Sequence, residues 1–141
     1  MILFQKILVP LDGSEHSLYA LEKAIQIARK FDGKLMLIHM YSMGIFELTP
    51  SQLNTYVLEH RKSGEKILEE GKKRAYAEGV PFETRLEEGH IVGGIVKAAK
   101  EGNFDLIVMG ARGKSELEDL LLGSVSQGVM LHAPCPVLIV K

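Results

Sequence analysis

Short apolar runs alternate with longer amphipathic segments along this chain. Five runs predict strands, at 6–12, 34–41, 82–87, 104–110 and 136–141. Four of them are apolar almost throughout, which is typical of strands that helices cover on both faces of a parallel sheet. The run at 82–87, FETRLE, instead alternates polar and apolar residues. We therefore place this third strand at or near an edge of the sheet.

Capping signals mark the first and last helical segments. Ser14 is a suitable N-cap for a first helix that ends near Phe31, with Gly33 just past its end. A fourth helix starts around 123–124 and ends before Pro134, because proline cannot continue a helix. Each of these helices connects two predicted strands.

The two middle helices are predicted from a capping box and an apolar stripe. Thr49 and Gln52 form the capping box, which opens a long charged helix to about Glu78. A third helix covers 91–100 and stops at Gly102. Its predicted buried residues are Ile91, Ile95, Val96 and Ala99.

This alternation of strands and helices predicts a doubly wound α/β fold, because each crossover must return a parallel strand in the right-handed sense. We expect an open sheet of five parallel strands in the order 3-2-1-4-5, with helices on both faces. A chain of 141 residues can bury a sizeable core, and no segment has the composition of a linker. We therefore expect a single domain over residues 1–141.

Composition and charge narrow the functional classes. The chain has 17 Lys and Arg against 18 Asp and Glu, and its basic residues are scattered, so it lacks the basic patch that nucleic acid or anionic lipid requires. No apolar run approaches the ~20 residues of a membrane-spanning helix, and the N-terminus resembles a strand more than a secretion signal. Cys135, the only cysteine, allows no internal disulfide and is expected to be a small buried residue. We expect a soluble cytoplasmic protein that binds neither nucleic acid nor membrane.

The stretch GARGKS at 110–115 follows a predicted strand and looks like a phosphate-binding loop. A Walker A loop needs four residues between its first glycine and the Gly-Lys pair, which would put that glycine at Val108, inside the strand. The dinucleotide fingerprint also fails, because no Gly-x-Gly precedes Gly110 and Gly113. The sequence therefore matches neither of the two common nucleotide loops.

A longer glycine pattern remains, in which Gly110 and Gly113 are followed after nine residues by Gly123 and Ser124. Glycines let the backbone approach an anion closely, and the first amides of a helix favour phosphate. The pattern therefore predicts a phosphate site at the start of the fourth helix. The alternative is that these glycines only shape turns.

Asp12 ends the first predicted strand. In the order 3-2-1-4-5, strands 1 and 4 are neighbours at the point where the strand order reverses, and ligands bind at such points in open α/β sheets. Asp12 would then face the loop that begins at Gly110. A carboxylate repels phosphate, so we expect Asp12 to accept hydrogen bonds from a ribose hydroxyl or a base amino group. Its alternative role, capping the next helix, is one that Ser14 already fills.

Three stretches together resemble the universal stress protein family: ILVPLDGSEHS, then DLIVMGARG followed nine residues later by GSVS, and finally HAPCPVLIV. The resemblance covers the whole chain and includes the complete nucleotide motif of the family, which points to its ATP-binding branch. It implies that ATP is the ligand. The triphosphate would be held by Gly113, Gly123, Ser124 and Val125. Gly110 and Asp12 would meet the ribose and adenine side, and the adenine slot would be lined by Pro10, Met40 and Met109.

Whether the chain hydrolyses ATP stays open at the level of sequence. Arg112 and Lys114 are nearby cations for the phosphates, but the motif supplies no evident base. The acidic residues at 116–119 can orient a water or Mg²⁺, although such residues usually form a solvated face. The charge of ATP makes an accompanying Mg²⁺ the expectation. We expect a nucleotide-responsive binding protein. The alternatives are a slow ATPase or adenylyl-transferring enzyme, and a chaperone-like assembly protein with a vestigial pocket.

The histidines and the first helical turn suggest little further chemistry. The five histidines show no metal-ligand spacing, and His39, inside a strand, is expected to be a hydrogen-bonded core residue. Ser14, Glu15 and His16 are adjacent, yet neighbours in a helical turn do not face one another as a nucleophile and a base must. We assign them capping and solvent roles.

The last predicted strand suggests a protein partner. It is expected at an edge of the sheet, where its unpaired backbone groups invite another strand. Antiparallel pairing with a second copy about a twofold axis would close that edge, and the family that the chain resembles commonly dimerises in this way. We expect a homodimer through Val137, Leu138, Ile139 and Val140.

Overall fold

The structure is a computed structural model, and it describes residues 3–44, 47–112 and 122–141. Five parallel strands form one sheet in the order β3-β2-β1-β4-β5. This confirms the predicted α/β fold and the predicted strand order. The elements, in chain order, are β1 (Lys6–Pro10), α1 (Glu15–Phe31), β2 (Lys34–Tyr41), α2 (Pro50–Ala77), β3 (Phe82–Glu88), α3 (Ile91–Glu101), β4 (Leu106–Gly110), α4 (Ser124–His132) and β5 (Val137–Val140).

Three strands are shorter than the sequence predicted, and one of them is β5, which spans only Val137–Val140. β1 ends at Pro10, so Asp12 lies in the turn beyond the strand. β4 begins only at Leu106, and the carboxylate of Asp105 just before it accepts hydrogen bonds from the backbone amides of Gln5 and Lys6, at 2.9 and 3.2 Å. β3 lies at an edge and is only partly buried, as its alternating sequence predicted.

Residues that alternate along the strands build two separate cores. On the side that we call the α1–α2 face, Ile7, Val9 and Leu37 pack against the helices α1 and α2. On the opposite α3–α4 face, Leu8 and Ile38 pack against α3 and α4. Burial on both faces explains why these strands are apolar at nearly every position.

The long helix α2 carries glycines where it crosses the sheet. A glycine inside a helix is disfavoured by about 1 kcal/mol relative to alanine. A Cβ at Gly64 would lie 2.6 Å from Leu86 Cδ1, and one at Gly71 would lie 2.6 Å from Leu11 Cδ1. Because these glycines have no side chain, α2 can pack closely on the sheet. This close packing offsets the low helix propensity of glycine.

The helix caps follow the sequence closely, with one exception. Ser14 Oγ accepts a hydrogen bond from Ser17 N, and the predicted capping box of α2 is present. At the end of α1 the left-handed residue is Asp32, with φ 56° and ψ 44°, and not the glycine that follows. A Cβ at Gly33 would lie 2.4 Å from the Phe4 carbonyl oxygen, so glycine is needed there for packing.

The inner stripe of α3 differs from the prediction. Ile95 and Ala99 are buried as expected, but Val96 is only partly buried and Ala98 takes its place in the core. Ile91 is also only partly buried, because it borders a cavity.

Among the described residues, the helices lack the combination of length and apolar character that crossing a membrane requires.

Candidate functional site

A cavity of about 400 Å³ opens at the carboxyl ends of β1 and β4, the point where the strand order reverses. Parallel sheets place ligand sites at this point because the crossover helices on either side diverge there. The cavity is lined by Pro10, Leu11, Asp12, Ser17, Ile38, Met40, Ile91, Ile95, Met109, Gly110, Arg112, Ser124, Val125 and Ser126.

One end of the cavity is an apolar slot. Ile38, Met40 and Met109 project from the α3–α4 face of the sheet and are almost fully buried, and Ile95 of α3 lies opposite them. Gly94 of α3 faces the Met40 side chain so closely that a Cβ there would lie 2.1 Å from Met40 Cε. The slot therefore depends on a glycine in the helix above it, and its apolar walls suit a flat ring.

Asp12 lies on the wall of the cavity and also holds the turn that leads into α1. Its Oδ1 accepts a hydrogen bond from Ser14 N at 2.9 Å, across Gly13 with φ 85°. Ser17 Oγ lies 3.4 Å from Asp12 N and donates to the Ser14 carbonyl at 3.0 Å. Asp12 therefore shares the capping role that the sequence interpretation gave to Ser14 alone.

The other end of the cavity is the N-terminus of α4. The N-cap is Gly123, which has no side chain to accept a hydrogen bond from the helix amides. The first amide with an intrahelical acceptor is Gln127 N, which donates to the Gly123 carbonyl at 2.9 Å. The amides of Ser124 and Val125 precede it, so they belong to the group that a helix leaves for an outside acceptor.

Side chains cap the other three helices in the described part of the chain. Ser14, Thr49 and His90 accept amide hydrogen bonds at the starts of α1, α2 and α3. α4 differs because its cap is a glycine. The positive end of its dipole therefore faces the cavity without a side-chain oxygen from its own cap residue.

The carbonyl of Ala111 joins the end of β4 to the start of α4. It accepts hydrogen bonds from Gly123 N at 2.7 Å and from Ser126 Oγ at 2.8 Å. Ser126 is buried and also lines the cavity, although the sequence interpretation missed it. Its position three residues before the buried Val129 was the available signal, because that spacing puts both on one helical face.

Arg112 lies at this polar end and contacts His16 from the first turn of α1. An Arg112 Nη atom lies 2.8 Å from His16 Nε2, and the two residues are 96 positions apart in the sequence. The capping or solvent role that we predicted for His16 is therefore wrong. A residue in the first helical turn looks solvent-exposed by sequence, and only the packing of α1 against β4 brings it to Arg112.

Most of the predicted site residues converge on this cavity. Eight of them line it, namely Pro10, Asp12, Met40, Met109, Gly110, Arg112, Ser124 and Val125. Gly123 caps α4 directly behind them. Gly113 lies outside the described residues, as do Lys114 and the acidic residues at 116–119. Besides Ser126, the sequence interpretation missed Leu11, Ser17, Ile38, Ile91 and Ile95 as lining residues.

The remaining candidate residues have structural explanations. His39 Nδ1 donates to the Leu11 carbonyl at 2.6 Å, which confirms the predicted hydrogen bond, but His39 is only partly buried and not a core residue as predicted. Cys135 is partly exposed and not buried as predicted, and partial burial together with the nearby Asp105 raises the pKa of its thiol. Within the described ranges, His, Cys, Asp and Glu side chains form no group of three that could hold a metal ion.

β5 forms the second edge of the sheet, beside β4. Leu138 in its centre is 39% exposed, and Met130 and Leu131 of the preceding α4 are also exposed. The predicted edge position of this strand is therefore confirmed.

Comparisons with known proteins agree with this architecture. A family model described as the universal stress protein family matches residues 3–141. Universal stress protein MJ0531 of Methanocaldococcus jannaschii is 39% identical over 141 residues, covering 99% of this chain and 83% of the relative.

Two solved structures extend the comparison. Universal stress protein UspA from Lactobacillus plantarum shares the fold, with a TM-score of 0.89 at 24% identity and 99% of each chain covered. A universal stress protein in complex with cAMP matches with a TM-score of 0.71 at 34% identity, covering 99% of this chain and 98% of that one.

Proposed function

The chain belongs to the universal stress protein family, and from this premise we propose that it is a nucleotide-responsive protein that binds ATP. The observation that carries the proposal is a single cavity with an apolar slot at one end and the N-terminus of α4 at the other. A nucleotide has the same division, with a flat base at one end and anionic phosphates at the other. The cAMP complex of a relative at 34% identity supports a nucleotide ligand.

We assign the adenine ring to the apolar slot. Met40 and Met109 would contact its faces, since thioethers are polarisable and adapt to aromatic surfaces. Pro10 would close the edge of the slot near the sugar, and Ile38 would form its floor beside Met40. Burial of a flat apolar surface supplies affinity in this part of the site, and few polar groups are needed there.

We assign the ribose to the region between Asp12 and the end of β4. A carboxylate only accepts hydrogen bonds, so it suits the ribose hydroxyls and is poorly suited to a phosphate. Gly110 would contact the sugar through its backbone. This arrangement would orient the nucleotide with its phosphates toward α4.

The phosphates would lie at the N-terminus of α4. The amides of Ser124 and Val125 point away from the helix body, and the Ser124 hydroxyl adds a further donor. Gly123 keeps the cap free of a competing side chain, and Arg112 adds a positive charge nearby. Gly113 belongs to the same proposal by its place in the motif. Mg²⁺ would enter with ATP, bound by the phosphate oxygens.

The residues that line the cavity favour ATP binding over ATP hydrolysis. Among the described residues that line the cavity, Asp12 is the one carboxylate, and its Oδ1 accepts a hydrogen bond from Ser14 N. This supports a role in holding the ligand over a role in activating water. If the natural chain released phosphate from ATP and the Ser124→Asp variant did not, a slow ATPase would be favoured instead. Purified protein without any nucleotide affinity would favour a chaperone-like assembly protein with a vestigial pocket.

We extend the proposal to a cytoplasmic homodimer. The exposed apolar side chains on and beside the β5 edge support pairing with a second copy through Val137, Leu138, Ile139 and Val140. Sedimentation should give a dimer for the natural chain and a monomer for Leu138→Lys. A dimer in both cases would remove this interface. The single cysteine suits the reducing cytoplasm.

The decisive experiment measures nucleotide binding by calorimetry, after mass analysis of any nucleotide released from the freshly purified protein on denaturation. Ser124 is exposed at the start of α4, so Ser124→Asp keeps the fold and places a negative charge where we expect phosphate. We expect this variant to bind ATP at least ~10-fold more weakly. The matched control is Ser51→Asp, which adds the same charge at the start of α2. Equal ATP affinity in all three proteins would refute the proposal.

A further inference from the structure

The contact between Arg112 and His16 links two elements that the fold brings together only at the rim of the cavity. Arg112 follows the end of β4 and lines the cavity, whereas His16 lies in the first turn of α1. Their side-chain nitrogens are 2.8 Å apart. The pair therefore connects the start of a helix to the one described cation among the residues that line the cavity.

The chemistry of the pair fixes the state of the histidine. A guanidinium only donates hydrogen bonds, so His16 Nε2 must accept and the ring must be neutral, with its proton on Nδ1. Among the described residues, none lies within hydrogen-bond reach of Nδ1, which is buried. A buried N–H without a partner opposes folding. Stability of the fold alone therefore does not account for the position of this ring.

The close approach of α1 to β4 makes the contact possible. A Cβ at Gly110 would lie 2.8 Å from both the carbonyl carbon and Cβ of His16. Glycine at this position therefore admits the first turn of α1 to the end of β4, where the imidazole reaches Arg112. Gly110 thus serves the packing of His16, besides lining the cavity.

Resting on the proposed function, we propose that His16 is a positioning residue that holds the Arg112 guanidinium at the phosphate end of the cavity. A neutral acceptor orients the guanidinium and leaves its positive charge intact. A carboxylate in the same place would orient it equally well but would cancel much of that charge. Histidine therefore suits a cation that must remain attractive to a phosphate.

The test compares two variants that differ by one methylene. His16→Gln can place an amide oxygen close to the position of Nε2, whereas the shorter side chain of His16→Asn cannot reach Arg112. Calorimetry measures the affinities of the natural chain and of both variants for adenosine, AMP and ATP. Charge-assisted hydrogen bonds hold charged groups firmly in place. We therefore expect His16→Asn to lower the affinities for AMP and ATP about tenfold and to change the affinity for adenosine by no more than about twofold. We expect His16→Gln to bind all three ligands like the natural chain.

The outcomes separate this inference from the proposal on which it rests. If the natural chain binds ATP no more tightly than adenosine, the proposed phosphate site itself fails. If the natural chain binds ATP more tightly than adenosine and the His16→Asn variant shows the same preference, only the positioning role of His16 fails. An equal loss for adenosine and ATP, or a loss that His16→Gln fails to restore, would show that His16 acts through the fold and would overturn the inference. Should His16→Asn not fold, His16→Leu removes the acceptor in its place.

Discussion

The α1–α2 face and the α3–α4 face share five strands but differ in the helices that cover them. α1 and α2 contain 17 and 28 residues, whereas α3 and α4 contain 11 and 9. The longer helices close their face into a continuous core. The shorter pair leaves the carboxyl ends of β1 and β4 open, and the cavity lies there. A binding site can therefore arise where helices do not cover a sheet completely.

The glycines of the two faces show the same contrast. On the α1–α2 face, Gly71 allows α2 to reach Leu11 and Leu37, so the missing side chain brings helix and sheet together. On the α3–α4 face, Gly94 leaves room for the Met40 side chain beside the cavity. The first glycine serves stability and the second serves the shape of the site. Four substitutions test the contrast between the two faces, two at core side chains and two at these glycines.

The largest effect should come from truncating core side chains. Leu37→Ala on the closed face should lower the free energy of unfolding by about 4 kcal/mol, because Leu37 is 0% exposed and packed on all sides. Met40→Ala should cost about 2 kcal/mol, because its side chain borders the cavity and has fewer partner atoms to lose. Denaturant unfolding measures both values. Equal costs would mean that the two faces are packed alike.

A smaller loss of stability is expected from Gly71→Ala. Its added Cβ would lie 2.6 Å from Leu11 Cδ1 and 3.2 Å from Leu37 Cδ1, and this overpacking should cost about 2 kcal/mol despite the better helix propensity of alanine. Ser63→Ala at an exposed position of α2 is the matched control and should be neutral within about 0.5 kcal/mol. A Gly71→Ala protein as stable as the control would show that α2 tolerates a wider separation from the sheet.

The smallest change in stability, but a clear change in binding, is expected from Gly94→Ala. The three atoms nearest to the new Cβ all belong to the flexible Met40 side chain, which can turn into the cavity at a cost in stability of about 1 kcal/mol or less. Adenosine and ATP should both bind about fivefold more weakly, because the base slot is narrowed. Adding Met40→Val to this variant should restore binding. Unchanged affinities would show that the base does not occupy the slot.

Much of the fold was predictable from short stretches of sequence. The caps at Ser14 and Thr49 were found because a cap depends on neighbours three residues away. The edge position of β3 followed from its alternating pattern, and the strand order followed from the fold class. Local rules failed at the end of α1, where Asp32 adopts the left-handed conformation and Gly33 is instead required by its contact with the Phe4 carbonyl oxygen.

The site was predictable where a motif recorded it and missed where only packing created it. The segment 123–125 was found because glycine, serine and a helix start form a recognisable pattern. Ser17 and Ser126 were missed because a buried serine in a helix looks like any other small residue. Val96 was placed in the core in error, because it directly follows Ile95 and so points to a different side of the helix, whereas Ala98 and Ala99 share the face of Ile95.

The sequence by itself determined the alternation of strands and helices, the caps, and the family, because these depend on residue types at short and regular spacings. Only the tertiary structure decided that further side chains such as Ser17 and Ser126 share the cavity, and that His16 accepts a hydrogen bond from Arg112. The physical reason is distance along the chain. Contacts between residues 96 positions apart depend on how helices of particular lengths pack on a twisted sheet, and no local pattern records that packing.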